Sequence, residues 1–559
     1  MDIEELEKTD LWNLYEKHMD FMRKRGIYSD SDLNYRMYNG DQWYGLNIKG
    51  IEKIQHNFIK QIVKQKVSNI TSNLFAVNYS PENIENTEFM EMAQKVCDLL
   101  NKRASKVWDK DFMDKKVKKW AKQSAINDEA VAYVTYNEDE DNPVNEIISK
   151  NDIMYGNENE EEIQLQPYIL VRQRKTVIEL KQMAKEQQID PKLVATIYPD
   201  NDTSTIAGDS GKDEVEDKCW LITKFFRKNG TIHFQQATKY CEIKKDRDMQ
   251  TTLYPFAHFN WEEKEGDARG TGEVRQLIPN QLETNKTAMR RALTTKNISY
   301  PQKVVNIDSI VNLQDVNKVG AMIKFKDKGN LRASDVFMNT TPGQMGTDSE
   351  KLQSELITLS KDLSNAGDAT TGNINPESAS GRAILAVQQA QNQPLTEQLI
   401  ALKNFIEDIA RIWFEMWKVY AEEGLAIENE VPDINGNSTV EMVQVPFYVL
   451  DALQTSVKVD ITPKGAFDKY AQELSLENLF TNGKISFEEY VDSLDADSVM
   501  PKVKLENIVK KRKEAQKQIA DMESQAQTIM NQGNEILQNQ DEITAIGQAG
   551  NNMVETTGM

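Results

Sequence analysis

The chain has 559 residues and a formal net charge of −21, because 88 aspartates and glutamates outnumber 67 lysines and arginines. A chain of this length can bury a large core divided among a few domains, and its acidic balance argues against a surface that wraps nucleic acid as a whole. The three scattered cysteines and four histidines show no metal-binding spacing, so we expect reduced thiols. An acidic start, MDIEELEK, and the lack of any run of about 20 apolar residues predict a protein that is neither secreted nor membrane-spanning.

The first 128 residues are predicted to be mostly helical, over residues 3–25, 57–73 and 86–128. Between the first two helices lies the string YRMYNGDQW, residues 35–43. Three aromatic residues surround its turn at Asn39 and Gly40, which predicts a helix end held by aromatic packing.

A basic cluster interrupts this acidic sequence near residue 118. Its members are Lys115, Lys116, Lys118, Lys119 and Lys122. Such a cluster is usually a solvated helix face, and contact with phosphate groups is the alternative; the sequence leaves both interpretations open.

The pattern then changes to strands, which continue to about Trp261. Asn229 and Gly230 separate two strand-like runs, 219–227 and 231–235, and predict a tight hairpin. Residues 174–197 are predicted to be helical. The remaining predicted features are strands at Val131–Tyr136 and Tyr168–Arg172, surface loops at the acidic runs 138–141 and 158–162, and a linker at 200–214.

Two predicted helices flank an insert of about fifty residues, Tyr300 to Gly346. The first helix, Gly272 to Asn297, has Pro279 near its first turn. It combines an apolar stripe of Ile278, Leu282, Met289 and Leu293 with a basic side of Lys286, Arg290, Arg291 and Lys296. The second helix begins at Thr347 and carries the ladder Leu352, Leu356, Leu359 and Leu363. This order predicts an antiparallel helix pair that presents a small α/β module at its tip.

Within the insert, the sequence predicts two strands, Val304–Ile307 and Ala321–Phe325, and a short helical piece near Leu313. A turn is predicted at Lys328, Gly329 and Asn330.

Residues 368–381 read as a polar loop, and the longest helical pattern of the chain follows it, ending at Gly424. Its apolar ladder is Leu395, Leu399, Leu402, Ile406, Ile409, Trp413, Met416 and Tyr420. Pro394 lies inside this pattern and predicts a kink or a break, since proline removes a backbone donor and clashes with the preceding turn.

The carboxy-terminal part begins with an acidic loop through Asn437 and two strands, Val443–Tyr448 and Thr455–Ile461. Helices are predicted at residues 467–479, 486–493 and 505–546, and the last dozen residues are predicted to be disordered.

No catalytic motif occurs in the chain: GxxxxGK[ST], HExxH, CxxC and GxSxG are all absent. The string RGTGEV, residues 269–274, lacks the third glycine of a dinucleotide-binding loop. We therefore expect no catalytic residue, no metal ligand and no cofactor, and we expect that the protein is not an enzyme. A metal-dependent nucleic-acid enzyme built from the dispersed carboxylates stays an open alternative.

Taken together, the chain resembles the portal proteins of tailed bacteriophages. The resemblance lies in YRMYNGDQW, in GTGEVRQLIPNQLETNKTAM before the insert, in ASGRAILAVQQAQNQPL after the loop, and in the order of these parts. It spans most of the chain and implies a mainly helical α+β fold with wing, stem, clip and crown, in a ring-forming subunit.

The resemblance implies the following division. The parts are the wing (1–271), first stem helix (272–297), clip (298–346), second stem helix (347–366), tunnel loop (367–380), the rest of the wing with its kinked helix and strands (381–465), and a helical crown with a flexible tail (466–559).

By the same resemblance, identical subunits would form a ring, dodecameric in the virion, at the portal vertex of the capsid. Viral double-stranded DNA would be packaged and ejected through its channel. The terminase large subunit and later the head-tail adaptor would dock on the ring, and the major capsid and scaffolding proteins would be further partners. Assembly would occur in the host cytoplasm, without a membrane. A structural neck adaptor or scaffold without a DNA channel is the alternative.

The resemblance also implies three groups of site residues, with Pro394 as the kink of the long helix. The tunnel loop would face DNA with Asp368, Thr370, Thr371, Asn373 and Asn375. The stem would contribute Lys286, Arg290, Arg291 and Lys296, either as weak phosphate contacts or as partners of acidic residues on the adjacent subunit. The clip would bind terminase and adaptor through Asp315, Lys318, Lys324, Lys326, Lys328 and Arg332.

Overall fold

The protein is described here from a computed structural model. The structure describes residues 7–45, 52–82, 87–200, 217–299, 303–316, 318, 320–326, 329, 332–339, 348–363, 393–420, 424–432, 438–462, 476–494, 504–505, 508–509 and 511–512. The chain divides into two compact units, Met1–Thr462 and Pro463–Met559.

Helices and strands are mixed along the described chain, which is compatible with the expected α+β class. The helices are α1 Asp10–Lys24, α2 Ile27–Asn39, α3 Phe58–Thr71, α4 Thr87–Lys110, α5 Met113–Asn127, α6 Val177–Glu186, α7 Pro191–Val194, α8 Glu273–Ser299, α9 Ala333–Val336, α10 Asp348–Leu363, α11 Thr396–Tyr420, α12 Phe447–Ala452 and α13 Phe487–Asp492.

The strands are β1 Leu74–Pro81, β2 Glu129–Asn137, β3 Asn142–Ile148, β4 Ile153–Tyr155, β5 Tyr168–Thr176, β6 Lys218–Lys228, β7 Thr231–Ala237, β8 Glu242–Asp248, β9 Phe256–Asn260, β10 Glu262–Lys264, β11 Asp267–Thr271, β12 Lys303–Val305, β13 Phe337–Asn339, β14 Leu425–Pro432, β15 Ser438–Val445 and β16 Thr455–Thr462. They form a five-stranded sheet in the order β4-β5-β6-β7-β8 and a three-stranded sheet in the order β3-β2-β9. The two-stranded sheets are β1-β16, β10-β11, β12-β13 and β14-β15.

Helix α11 lies at the centre of the largest hydrophobic core, between β9 on the three-stranded sheet and β16. Phe405 on this helix meets Trp120 of α5 edge-on, with ring centroids 5.3 Å apart. Six of the eight positions of the apolar ladder expected from the sequence are buried: Leu395, Leu402, Ile406, Ile409, Trp413 and Met416. The other two, Leu399 and Tyr420, are partly buried against the same core.

Strand β1 pairs with β16, so segments almost four hundred residues apart in sequence form one antiparallel ladder. The register places Val77 opposite Val459. Tyr79 fastens this ladder to the core, because its buried hydroxyl donates to the carbonyl oxygen of Ala410 at 2.8 Å.

Two of the three turns expected from the sequence are confirmed; at the third, Lys328 and Asn330 lie outside the described residues. Helix α2 ends at Gly40, whose φ of 94° is accessible to glycine, and the nearby rings of Tyr38 and Trp43 are buried. In the β6–β7 hairpin, Asn229 and Gly230 have φ values of 55° and 95°, as a turn with two left-handed residues requires.

Four local expectations were wrong. Residues 321–324 form no strand, and only Phe325 makes an isolated bridge, to Ile310. The predicted loop after Gly424 contains β14, which pairs with β15 along its whole length. Tyr448 belongs to α12 instead of a strand. The helix predicted from residue 174 starts at Val177, because β5 extends to Thr176 and Thr176 then caps α6 in a reciprocal pair with Glu179.

The second unit contains the short helix α13. Its start is capped reciprocally by Ser486 and Glu489, which confirms the helix predicted there. The predicted linker at 201–214, residues 467–475 and nearly all of the helix predicted at 505–546 lie outside the described residues. No helix in the described part of the chain is long and apolar enough to cross a membrane.

Truncation of Trp413 is expected to destabilise the first unit strongly. The side chain is fully buried, and its indole N–H donates to Asn145 Oδ1 at 3.1 Å. We expect Trp413→Ala to lower the free energy of unfolding by about 3–5 kcal/mol, from the cavity and the lost contacts. Urea unfolding measures it. Ile400→Ala is the matched control, since Ile400 lies on the same helix but is 52% exposed; equal effects of the two changes would contradict the central position assigned to α11.

Candidate functional site

The candidate site is the α8–α10 helix pair with the insert between them. Asn280 on α8 donates to Ser360 on α10 at 3.1 Å, and Arg291 on α8 donates to Gln353 on α10 at 2.8 Å. Residue numbers rise along one helix as they fall along the other, so the pair is antiparallel. The predicted antiparallel pair is confirmed.

The outer face of α10 is uncovered. Ile357 packs partly buried against the main core, whereas Leu352 and Leu359 are 43% and 51% exposed. The sequence predicted an amphipathic helix whose apolar ladder includes these two leucines. Within the described residues of one chain, no apolar surface covers Leu352 and Leu359.

The start of α8 is set by a close backbone approach. The amide of Gly272 donates to Asp128 Oδ1 at 2.7 Å, and a Cβ atom at residue 272 would lie 2.9 Å from the backbone nitrogen of Asp128. Asp128 also pairs with the buried Lys150 at 2.5 Å. Gly272, the second glycine of RGTGEV, therefore allows α8 to start close to the backbone of Asp128, since only glycine fits so near another backbone.

Arg269, three residues before Gly272, occupies a buried ion cluster. Its guanidinium contacts Glu129 and Glu158 and donates to the carbonyl oxygen of Ile153 at 3.1 Å. His258 Nε2 lies 2.9 Å from the second oxygen of Glu129. Burial by itself would raise the pKa of Glu129, but Arg269 and the His258 contact outweigh it and hold that pKa at about 2.

The middle of α8 is held by neutral polar groups. Gln281 accepts from the amide of Phe58 at 3.1 Å and donates to the carbonyl oxygen of His56, at the start of α3. Asn285 accepts from the amide of His56 at 3.0 Å and donates to Gln42. Gln42 belongs to YRMYNGDQW, so this polar lock joins the two strings that the resemblance drew on in the first half of the chain.

The basic residues predicted for the stem are mostly paired within the chain. Glu283 contacts Lys286 at 3.5 Å and Arg290 at 3.0 Å, and Arg291 contacts Glu350 at 3.7 Å. Lys296 is exposed and forms no ion pair with a described residue. These carboxylates belong to the same chain, and exposed pairs of this kind each contribute about 0–1 kcal/mol.

The insert begins and ends in the short β12–β13 pair, and Ile310, Val316 and Val336 form its small core. Outside that core the insert is unusually apolar. The side chains that are more than a third exposed are Val304, Ile307, Val311, Leu313, Met322, Phe325 and Met338. A surface this rich in apolar groups is typical of a contact with another protein.

The charged residues predicted for the insert are all exposed or half-buried where they are described. Lys318 pairs with Asp315 at 2.7 Å. Lys324, Lys326 and Arg332 lie on the surface. Lys328 lies outside the described residues.

All predicted tunnel-loop residues, Asp368 to Asn375, lie outside the described residues, as does the chain up to residue 392. Pro394 lies in the 3₁₀ turn Gln393–Leu395, directly before α11. This turn is consistent with the break expected at Pro394, because the missing N–H of proline costs little before a helix, where that group has no helical hydrogen bond to donate.

Sequence reasoning missed the residues that attach α8 to the body. The buried face of α8 includes the polar residues Gln281, Thr284 and Asn285, whereas the predicted apolar stripe at Ile278 and Leu282 is only half-buried. Periodicity of apolar residues cannot find a buried polar face. The available signal was the concentration of amides in NQLETN itself. Among the described residues, no group of three or more His, Cys, Asp or Glu could hold a metal ion.

The buried cluster predicts an acid-dependent loss of stability. The folded pKa of Glu129 lies below its ordinary value of 4.5, so this stabilisation is complete above about pH 4.5 and is lost as pH falls toward 2. Glu129→Gln is expected to cost about 3–5 kcal/mol at pH 7, because Arg269 loses a buried counter-charge. The difference in unfolding free energy between wild type and variant should shrink as pH falls from 4.5 toward 2.

Chemical denaturation at a series of pH values provides the measurement. The matched control is Glu91→Gln, since Glu91 is exposed on α4 and forms no ion pair with a described residue. A difference for Glu129→Gln that stays constant with pH would show that Glu129 is not ionised through Arg269 as described.

No protein-family model matches the chain, and no curated protein matches its sequence.

Proposed function

We propose that the chain is a portal subunit: copies of it form a ring at one capsid vertex, and viral double-stranded DNA passes through the ring during packaging and ejection. The observation that carries the proposal is the antiparallel α8–α10 pair, attached to a buried core at one end and carrying a compact insert with uncovered apolar side chains at the other.

The dimensions of the helix pair suit a stem. Helix α8 has 27 residues and is therefore about 40 Å long at 1.5 Å per residue. Its first half is anchored by the Gly272 contact and by the polar lock at Gln281 and Asn285. Its last turns are more exposed. A helix pair that is anchored to the body at one end and exposed toward the other can stand beside equivalent pairs from other copies.

Uncovered apolar surface supplies the reason for association. Leu352 and Leu359 on α10, together with the exposed apolar residues of the insert, need a partner to leave water. Identical copies that associate through two different faces form a ring when the rotation closes. In this proposal, α10 contacts the neighbouring stem and the insert contacts neighbouring inserts.

The further roles follow from the portal proposal. Residues 298–346 act as the clip that docks the terminase large subunit and then the head-tail adaptor. Residues 367–380 act as the tunnel loop facing DNA, and Lys296 is the stem cation that remains for phosphate. The protein is not an enzyme in this proposal; the motor that moves DNA is the separate terminase.

The proposal is tested by the assembly state of the purified full-length chain. Native mass spectrometry and electron microscopy are expected to show closed rings of about twelve copies with a central hole wide enough for duplex DNA. Monomers and dimers alone, across a range of salt and protein concentrations, would contradict the proposal. Rings without a bore of duplex width would favour a neck adaptor or scaffold.

The insert surface gives a second test. Val304 and Met338 face each other across β12–β13 and are 54% and 55% exposed. The double change Val304→Thr with Met338→Thr keeps residues suited to strands and removes apolar surface. We expect it to lower ring yield, or binding of the terminase large subunit, by at least about fivefold, because each buried CH₂ contributes about 0.8 kcal/mol.

Met442→Thr is the control for this change, since Met442 is 64% exposed on β15, outside the insert. Ring yield is read by native mass spectrometry and terminase binding by co-sedimentation. Unchanged assembly and unchanged terminase binding in the double variant would remove the insert surface from the proposal.

A further inference from the structure

Helices α3 and α5 reverse the charge balance of the rest of the chain. Helix α3 contains three lysines and no carboxylate. Helix α5 contains five lysines and a single carboxylate, Asp114, which accepts a hydrogen bond from Trp108. In a chain of net charge −21, this local excess needs a physical reason.

Two of these lysines have partners inside the protein. Lys66 forms a buried pair with Glu273 at 2.8 Å, and Lys116 contacts Asp111 and the carbonyl oxygen of Asn145. The others are exposed or half-buried and form no ion pair with any described residue. They define the lysine face: Lys60, Lys64, Lys115, Lys118, Lys119 and Lys122.

The lysine face is one continuous surface, because α3 and α5 pack against each other. The ammonium groups of Lys60 and Lys122 lie 5.8 and 5.0 Å from the ring centroid of Tyr38, so the two rows of lysines meet at this ring. On α5, positions 115, 118, 119 and 122 fall on the same side of the helix. Like charges repel at such spacing, and an anionic partner relieves that repulsion.

The chemistry of the surrounding positions identifies the class of anion. The exposed residues of the two helices are Gln61, Lys64, Ser68, Asp114, Lys115, Lys118, Lys119 and Lys122. None of these is apolar or aromatic, and the exposed aromatic residue Phe112 lies directly before α5, outside both helices. A protein partner needs an apolar or aromatic centre to its interface, and lysine is depleted there. Lysine, glutamine and serine are the side chains that contact phosphate and sugar in nucleic-acid complexes.

We propose that the lysine face binds the sugar–phosphate backbone of nucleic acid without reading its bases. The lysines of this surface belong to α3 and α5, so they are different residues from the stem cations and the tunnel-loop residues named in the portal proposal. The inference does not depend on ring formation, since every lysine of the face belongs to one chain.

The test measures binding of a fluorescein-labelled 30-base-pair DNA duplex of arbitrary sequence to the full-length protein, by anisotropy, over a series of salt concentrations. The variant Lys115→Gln/Lys118→Gln/Lys119→Gln removes three charges and leaves the Lys60 and Lys122 contacts with Tyr38. The matched control, Lys17→Gln/Lys185→Gln/Lys192→Gln, removes three charges from exposed lysines that also form no ion pair with a described residue.

We expect the variant to bind the duplex at least about tenfold more weakly at 0.1 M salt. The slope of log affinity against log salt should fall by about 2 to 3, because each phosphate contact contributes about 0.9. The control should bind like wild type. Duplexes of different sequence should bind equally.

Three results would overturn the inference: no duplex binding by wild type at low salt, equal binding by variant and control, or tighter binding of a polyglutamate peptide than of the duplex. The last would assign the lysine face to an acidic protein. Rings that form normally but bind no duplex at this face would overturn this inference alone, whereas duplex binding by a chain that forms no rings would leave it standing without the portal proposal.

Discussion

The attachment of α8 to the body depends on charges buried together. Arg269 is enclosed by Glu129, Glu158 and a backbone carbonyl group, and a buried charge without its counter-charge costs several kcal/mol. Three residues later, the amide of Gly272 is held by Asp128. This cluster therefore determines where α8 begins, and with it the position from which α10 and the insert extend. The geometry of the rest of the candidate site therefore depends on where α8 begins.

In the α8–α10 pair, polar side chains are buried and apolar side chains are exposed, which is the reverse of an ordinary hydrophobic core. Gln281 and Asn285 are buried and satisfied by the start of α3, which gives α8 a defined register that apolar packing alone would specify less sharply. Leu352, Leu359 and the apolar side chains of the insert are left in water. The helix pair is thus rigidly attached at its base and uncovered along its outer part, a combination suited to assembly with other copies.

Charge is distributed just as unevenly. The chain is strongly acidic, and the cations on α8 are mostly neutralised by Glu283 and Glu350. If α8 lines a DNA channel as proposed, that channel would retain DNA weakly, since few counterions would be released on contact. The lysine face on α3 and α5 is the contrasting case within the described residues. If both proposals hold, weak DNA contact along the stem and firmer contact at the lysine face would be compatible, because a channel must let DNA slide whereas the lysine face would hold it.

Local sequence pattern by itself predicted the apolar ladder of α11 and the turn at Asn229 and Gly230. It also predicted that α8 and α10 run antiparallel. Periodicity and turn chemistry act over a few residues, so they can be read from sequence. Only the tertiary structure decided that β1 pairs with β16, that Arg269 is buried against Glu129, and that Leu352 stays exposed. Those outcomes depend on which distant segments of the chain pack together. Whether a side chain is buried or exposed is decided by that packing and not by its neighbours in sequence.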